Sequence, residues 1–428
     1  MSLNVFTLKN RNILFLFQGS LWSSIGTYFF AVSMSLYIKG INNSPKEVAL
    51  AMALASFPSL LFTPLGGVLS DFANRVRVLV WLDIISGFLM LGFAFYLDQA
   101  HHFRPSYVLH VTYGVIFSIN VIQCFFVPTA TAIIGDVASG QELPAAYALR
   151  SISNQASGVM GRALAGFLVA LVSYSAIALL NGMSFFFSAY MGSLIKTIEQ
   201  KHPVSPLPRK NWKLTWNLHL QSLTDGFTFV RSQKGMLTLL LGAAVSNALL
   251  ASIFIFTPFY ILDFLKASTW WYGLFSAGFS LGAIAGALSS TIISNKFKKN
   301  ISQIIRNGLI LQGVPLAFLP FVPHPIFSIT LLFLSAFFYG LIGTFIDLIF
   351  QHITSTVNRG RIFAIMGTIS GIFNPLVMLA AGFLGTLAQE HLIALFPLLG
   401  ISMVLMWLLL FATKDLNLFI ERYPSFRP

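Results

Sequence analysis

Apolar residues gather in runs of about twenty positions or more, and short polar or Pro/Gly-marked stretches separate one run from the next. The runs lie near residues 12–38, 47–70, 78–98, 107–134, 145–170, 173–196, 236–262, 270–294, 302–322, 327–350, 362–388 and 391–413. At about 1.5 Å of rise per residue, each can cross a hydrocarbon core about 30 Å thick. The pattern predicts an all-α polytopic membrane protein with twelve transmembrane helices. The first run is too long for a signal-peptide core and lacks a small-residue cleavage site, so it reads as a retained span.

The runs divide into two sets of six. Between them, residues 197–235 hold Pro203, Pro206 and Pro208, then an amphipathic stretch from Trp212 to Val230. Its Trp212, Trp216, Phe227 and Phe229, flanked by basic residues, predict a helix lying on the membrane surface. The expected organisation is a first six-helix half (1–196), this linker (197–235), a second half (236–413) and a tail (414–428). Ala165-Gly166-Phe167-Leu168 in the fifth run returns as Ala381-Gly382-Phe383-Leu384 in the eleventh, and Asp71 after the second corresponds to Asn295 after the eighth. Such correspondences predict pseudo-symmetric halves around a central cavity.

Composition agrees with lipid as the solvent: 56% of the 428 residues are hydrophobic and 9% are charged, against about a quarter charged in soluble chains. The net charge of +13 belongs to membrane orientation and not to nucleic acid. Of the 26 Lys and Arg, only Lys39, Lys46, Arg104 and Lys266 fall in the outer connections and Arg162 near the middle of a run; all others lie in, or at the run ends that adjoin, the set of segments that includes both termini. The positive-inside rule then places both termini in the cytoplasm. A single cysteine, Cys124, excludes an intrachain disulfide, and His101 and His102 form no metal-ligand spacing. No cofactor, metal or catalytic constellation is expected.

The segment from Gly67 to Arg77, with Asp71, Arg75 and Arg77, resembles the loop signature of the major facilitator superfamily. A glycine there permits close helix approach, and an Asp at the membrane edge can accept from a facing helix N-terminus, together forming a conformational latch. Phe72 stands where the family usually has a basic residue and Asn74 where many members have Gly. Gly19 to Gly26, Val127 to Asp136, Ala146 to Ser151 and Asn358 to Ala364 are similar to the branch that includes macrolide-efflux and enterobactin-exporter proteins. The resemblance covers nearly all of the chain. It implies a monomeric secondary transporter of a bacterial inner membrane, exporting by alternating access without nucleotide, and no Gly-rich phosphate loop with Lys is present.

Charge inside the membrane is costly, which makes Arg162 in the fifth run a functional candidate. It follows Gly158 and Gly161 in a spacing that resembles the Gly-rich motif of antiporters, with Arg where relatives often carry Pro. It can receive an anionic substrate, pair with a neighbouring helix, or snorkel. Coupling carboxylates are few: Asp83, Asp347 and Asp136 at the inner mouth, each also readable as an edge contact. The first run carries none, having Thr27 where relatives place an acid, so proton antiport rests on the resemblance. Neutral polar cavity candidates are Gln18, Trp22, Ser23, Thr27, Asn120, Gln123 and Asn154 in the first half, and Asn247, Tyr339 and Asn374 in the second. Gln18 and Trp22 lie one turn apart on one face, suiting an amphipathic cargo such as a drug, macrolide-like compound or siderophore. An importer or lipid-handling transporter of the same fold is the second expectation, and a non-transporting scaffold or receptor the third. Pro58, Pro64, Pro258 and Pro375 are expected kinks, and Gly278, Gly282 and Gly286 a close-packing face.

Overall fold

The computed structural model describes residues 10–138, 142–196, 224, 227–296, 301–321, 323–353 and 359–422. Among them the chain forms helices and no strand: α1 Arg11–Asn42, α2 Pro45–Phe72, α3 Arg75–Asp98, α4 Pro105–Val137, α5 Glu142–Leu171, α6 Tyr174–Ser193 and α7 Met236–Phe259. There follow α8 Trp270–Lys296, α9 Ile301–Leu311, α10 Val314–Phe318, α11 Pro325–Ile353, α12 Arg359–Leu387, α13 Leu395–Phe411 and α14 Lys414–Glu421. Ten stretches are long and apolar enough to cross a membrane. The two other expected spans are α5, diluted by Arg150, Asn154, Gln155 and Arg162, and α12, whose described apolar part is Gly371–Leu387.

Helix ends follow local chemistry. Asn10 caps α1 by accepting the Asn12 N–H, Asn74 caps α3 by accepting that of Arg77, and Ser173 caps α6 by accepting that of Ala176. Pro105 opens α4, where its missing N–H costs nothing. Pro258 sits two residues before α7 changes to a π-helical turn at Tyr260–Phe264.

Two compact units emerge. The first comprises residues 1–43 and 54–219, the second 44–53 and 220–428, so the first turns of α2 belong with the second unit. In the first unit small residues set the helix spacing. Gly19 and Gly26 of α1 meet Ser188 and the Asn181–Ser184 pair of α6, while Gly182 of α6 meets the Gly87 carbonyl of α3.

In the second unit the expected Gly278, Gly282 and Gly286 face is seated against Ile329, Phe333 and Phe337 of α11. Gly382 packs on Ala49, so this member of the repeated Ala-Gly-Phe-Leu serves a close approach. Ala165 and Ala381 are both buried, and Phe167 and Phe383 are each 58% exposed. The repeat is therefore one of burial as well as sequence.

Two expectations change, and the tail gains an element. The ninth run is not one helix: it breaks at Gln312–Gly313, where Ser335 donates to the Gln312 carbonyl at 2.7 Å and Gly313 meets Gly400 of α13. The tail is not featureless, because α14 buries Leu416, Phe419 and Ile420. Gly67 is not the close-approach glycine. No described atom lies within 4 Å of where its Cβ would stand, whereas a Cβ on Gly66 would collide with the Cys124 and Phe125 backbone of α4. The expected surface helix at Trp212 to Val230 lies largely outside the described residues.

Candidate functional site

A four-residue spacing on α5 builds the seam that holds Arg162. Ser153, Ser157, Gly161 and Ala165 are all buried. A Cβ on Gly161 would stand 2.7 Å from both the Ile25 carbonyl oxygen and the Tyr28 Cβ, so α5 rides on the backbone of α1. Ser157 donates to the Leu21 carbonyl at 3.2 Å, stitching the two helices. That close approach brings the Arg162 guanidinium over the Tyr28 ring, 5.2 Å from its centroid. The half-buried cation thus rests on an aromatic face.

On α1, Gln18 is exposed and Trp22 is 50% exposed. Ser23 is buried and donates to the Ser20 carbonyl, and Thr27 donates to the Ser23 carbonyl at 2.9 Å, so both hydroxyls serve their own helix. On α4, the Asn120 amide donates to the Ile116 carbonyl at 2.8 Å, and Gln123 is half-buried.

At the end of α2 the loop signature becomes a bonded cluster. Arg75 donates through Nε to the Ser70 carbonyl at 2.8 Å and through Nη1 to Asp136 Oδ1 at 2.7 Å. Asn74, which departs from the family pattern, works as the cap of α3, and Arg77 supplies the capped N–H at 3.1 Å while its side chain is exposed. The side chain of Asp71, in the last turn of α2, lies outside the described residues.

The three carboxylates separate by environment. Asp136 is the ion partner of Arg75. Asp83 is 1% exposed with Ser188 as its hydrogen-bonding neighbour, and its Oδ2 has no partner. Among the described residues its neighbour is Ser188 of α6 and not a loop arginine. Asp347 is exposed near the end of α11.

Asn154 lines a cleft between α1, α4 and α5 with about 320 Å³ of empty volume, its open mouth included. Phe17, Ile134 and Leu149 supply apolar wall, and Arg150 and Ser153 reach it from α5. The second unit holds Asn247 half-buried on α7, Tyr339 with its ring 6.0 Å from that of Phe279, and Asn374 on α12, whose Oδ1 is buried without a partner.

A sequence model described as Major Facilitator Superfamily matches residues 16–376. The chain belongs to the Major Facilitator Superfamily. Macrolide efflux protein A of Streptococcus pyogenes is 20% identical over 385 residues, spanning 88% of this chain and 90% of that one. "Putative bacilysin exporter BacE" of Bacillus subtilis (strain 168) is 24% identical over 310 residues, 72% of each. Among solved structures, a bacterial homologue of the human lysosomal transporter Spinster, inward-facing and occupied, superposes with a TM-score of 0.69 at 15% identity, covering 97% of this chain and 98% of that one. The first two are efflux relatives of this major facilitator, and the third shares its fold.

This is accordingly a multi-pass membrane transporter and not an enzyme. The four residues that sequence reading passed over are Tyr28, Arg150, Ser153 and Ser157. Their signal was the small-residue spacing of α5, which points Ser153 and Ser157 to α1 and sets which aromatic Arg162 meets. Arg150 was read only as an orientation charge.

Proposed function

We propose that this major facilitator is a secondary active exporter of an amphipathic small molecule, acting as a monomer by alternating access in a bacterial inner membrane, with both termini cytoplasmic. The observation that carries the reading is the α1–α5 seam: an intramembrane arginine held on the Tyr28 ring, beside a helix that exposes Gln18 and Trp22. A cation kept in a membrane segment at such cost is retained for cargo or coupling. A macrolide-efflux relative spanning 88% of the chain supports export, and macrolides are large and amphipathic. The excess of Lys and Arg in the segments that include the termini supports the orientation. Proton antiport is the proposed coupling. Asp136 is engaged by Arg75 and Asp83 is covered, so Asp347 is the coupling candidate left among the three.

The test is uptake and efflux in oriented vesicles under an imposed pH gradient, with a panel of dyes, macrolides and siderophores. Export is expected in the wild type, with loss in Arg162→Ala and loss of gradient dependence in Asp347→Asn. Accumulation toward the cytoplasmic face would instead establish the importer.

A further inference from the structure

Arg150 and Ser153 stand three residues apart on α5, so they share one face, and both line the cleft between α1, α4 and α5. Among the described residues, the polar partner of Arg150 is one backbone carbonyl, that of Val127 at 3.2 Å from Nη2. A guanidinium carries five N–H donors, so most of its capacity is unspent. Two described carboxylates of the same helix ends have partners of their own, Asp136 in Arg75 and Glu142 in the Asn10 amide at 3.2 Å. Ser153 is 3% exposed, and its hydroxyl has no hydrogen-bond partner. Leaving a buried hydroxyl unsatisfied is unfavourable, and native proteins keep few such groups, at places that a water, an ion or a ligand completes. The remaining wall is chiefly apolar, with Ile13, Leu16 and Phe17 from α1 and Ile134 from α4.

We propose that this cleft binds an amphipathic monoanion, with Arg150 and the Ser153 hydroxyl receiving its carboxylate or phosphate oxygens and the α1 and α4 side chains receiving its apolar body. The assignment rests on the transporter reading and deepens it, for it names the chemistry of the cargo that enters from the side where α1 begins. The cleft opens to the surface, so the head group is the part it holds and the rest of a longer ligand lies outside it. Planar guanidinium suits a two-oxygen acceptor, which a lysine satisfies less well.

The test uses the full-length protein in phosphatidylcholine nanodiscs and equilibrium dialysis of radiolabelled dodecanoate and dodecanol, with empty nanodiscs subtracted. Wild type is expected to bind dodecanoate at one saturable site. Arg150→Gln is expected to weaken it about tenfold or more, and Ser153→Ala about threefold, with Arg150→Lys between wild type and Arg150→Gln. Dodecanol, which has the same chain and no charge, is expected to bind all four proteins alike. Ser153→Ala is also expected to raise the ligand-free melting temperature while lowering affinity, the signature of a hydroxyl kept for a ligand. Equal dodecanoate affinity in wild type and Arg150→Gln overturns the proposal. So does parallel loss of both probes, since Arg150 would then only maintain the shape of the cleft. Phosphatidylglycerol nanodiscs separate the sources: competition seen in wild type and absent in Arg150→Gln assigns the site to a lipid headgroup, and its absence in wild type assigns it to a free cargo. Binding is read without flux, so a protein that binds dodecanoate yet transports nothing sinks the exporter reading and leaves the site standing.

Discussion

Arg75 donates to Asp136 across 61 residues of sequence at 2.7 Å, with the two side chains 17% and 28% exposed. A charge-assisted bond so sheltered contributes more than an exposed surface pair, about 1.5–3 kcal/mol. It joins the start of α3 to the end of α4, and Arg75 also holds the Ser70 carbonyl of α2. In thermal unfolding, Arg75→Ala and Asp136→Ala are each expected to destabilise by about 1–3 kcal/mol, with the double variant losing clearly less than the sum. Strict additivity would show that the two residues are not coupled.

Arg162 tests the aromatic seat. Its guanidinium lies 5.2 Å from the Tyr28 centroid, and such a contact contributes about 0.5–2 kcal/mol depending on desolvation. Tyr28→Phe keeps the ring face and is expected to leave stability within about 0.5 kcal/mol, whereas Tyr28→Leu is expected to lose the full contact. In an Arg162→Gln background the Tyr28→Leu penalty should shrink. An unchanged penalty there would mean that Tyr28 packs and does not hold the cation.

The fold was legible because lipid enforces it: backbone groups in hydrocarbon must pair internally, so long apolar runs can only be helices. The exceptions are instructive. The run at 302–322 is as apolar as its neighbours, yet it breaks at Gln312–Gly313 because α11 and α13 offer a hydroxyl and a glycine there. Hydropathy is blind to such partners. Site residues were legible by type and not by partner. Asp83, Asp136 and Asp347 look alike in sequence, and only the burial of Asp83 beside Ser188 of α6 and the reach of Arg75 to Asp136 distinguish them. The same limit made Gly67 the suspected contact glycine, since helical phase decides between it and Gly66 and a composition pattern does not carry that phase.

That pair of adjacent glycines supplies a sharp contrast. A Cβ on Gly66 would meet the backbone of Cys124 and Phe125, which cannot yield as a side-chain tip can, while one on Gly67 meets no described atom within 4 Å. Gly66→Ala is expected to cost about 1–3 kcal/mol and broaden the size-exclusion profile of the detergent-solubilised protein. Gly67→Ala should stay within about 0.5 kcal/mol of wild type. The reverse order would move the α2–α4 contact to the other glycine.

The docking of α14 depends on a residue outside it. Gly235 has φ +85°, a conformation disfavoured for residues with a side chain, and its missing Cβ leaves room for the Asp415 carbonyl and the Phe419 side chain. Val230 and Met236 on either side are fully buried, and α14 contributes Leu416, Phe419 and Ile420 to the same packing. Gly235→Ala therefore meets two penalties, backbone strain of about 1–3 kcal/mol and a collision with the α14 backbone. The short helix has eight residues and too little intrinsic stability to persist undocked. Releasing it should open the chain to trypsin after Lys414, with cleavage at least about tenfold faster than in wild type for a loss of about 1.4 kcal/mol or more. Phe419→Ala should reproduce the effect by removing the packing partner instead of the space. Wild-type cleavage rates in both variants would mean that α14 is held by contacts other than these, and the positive φ at Gly235 would then serve only the turn into α7.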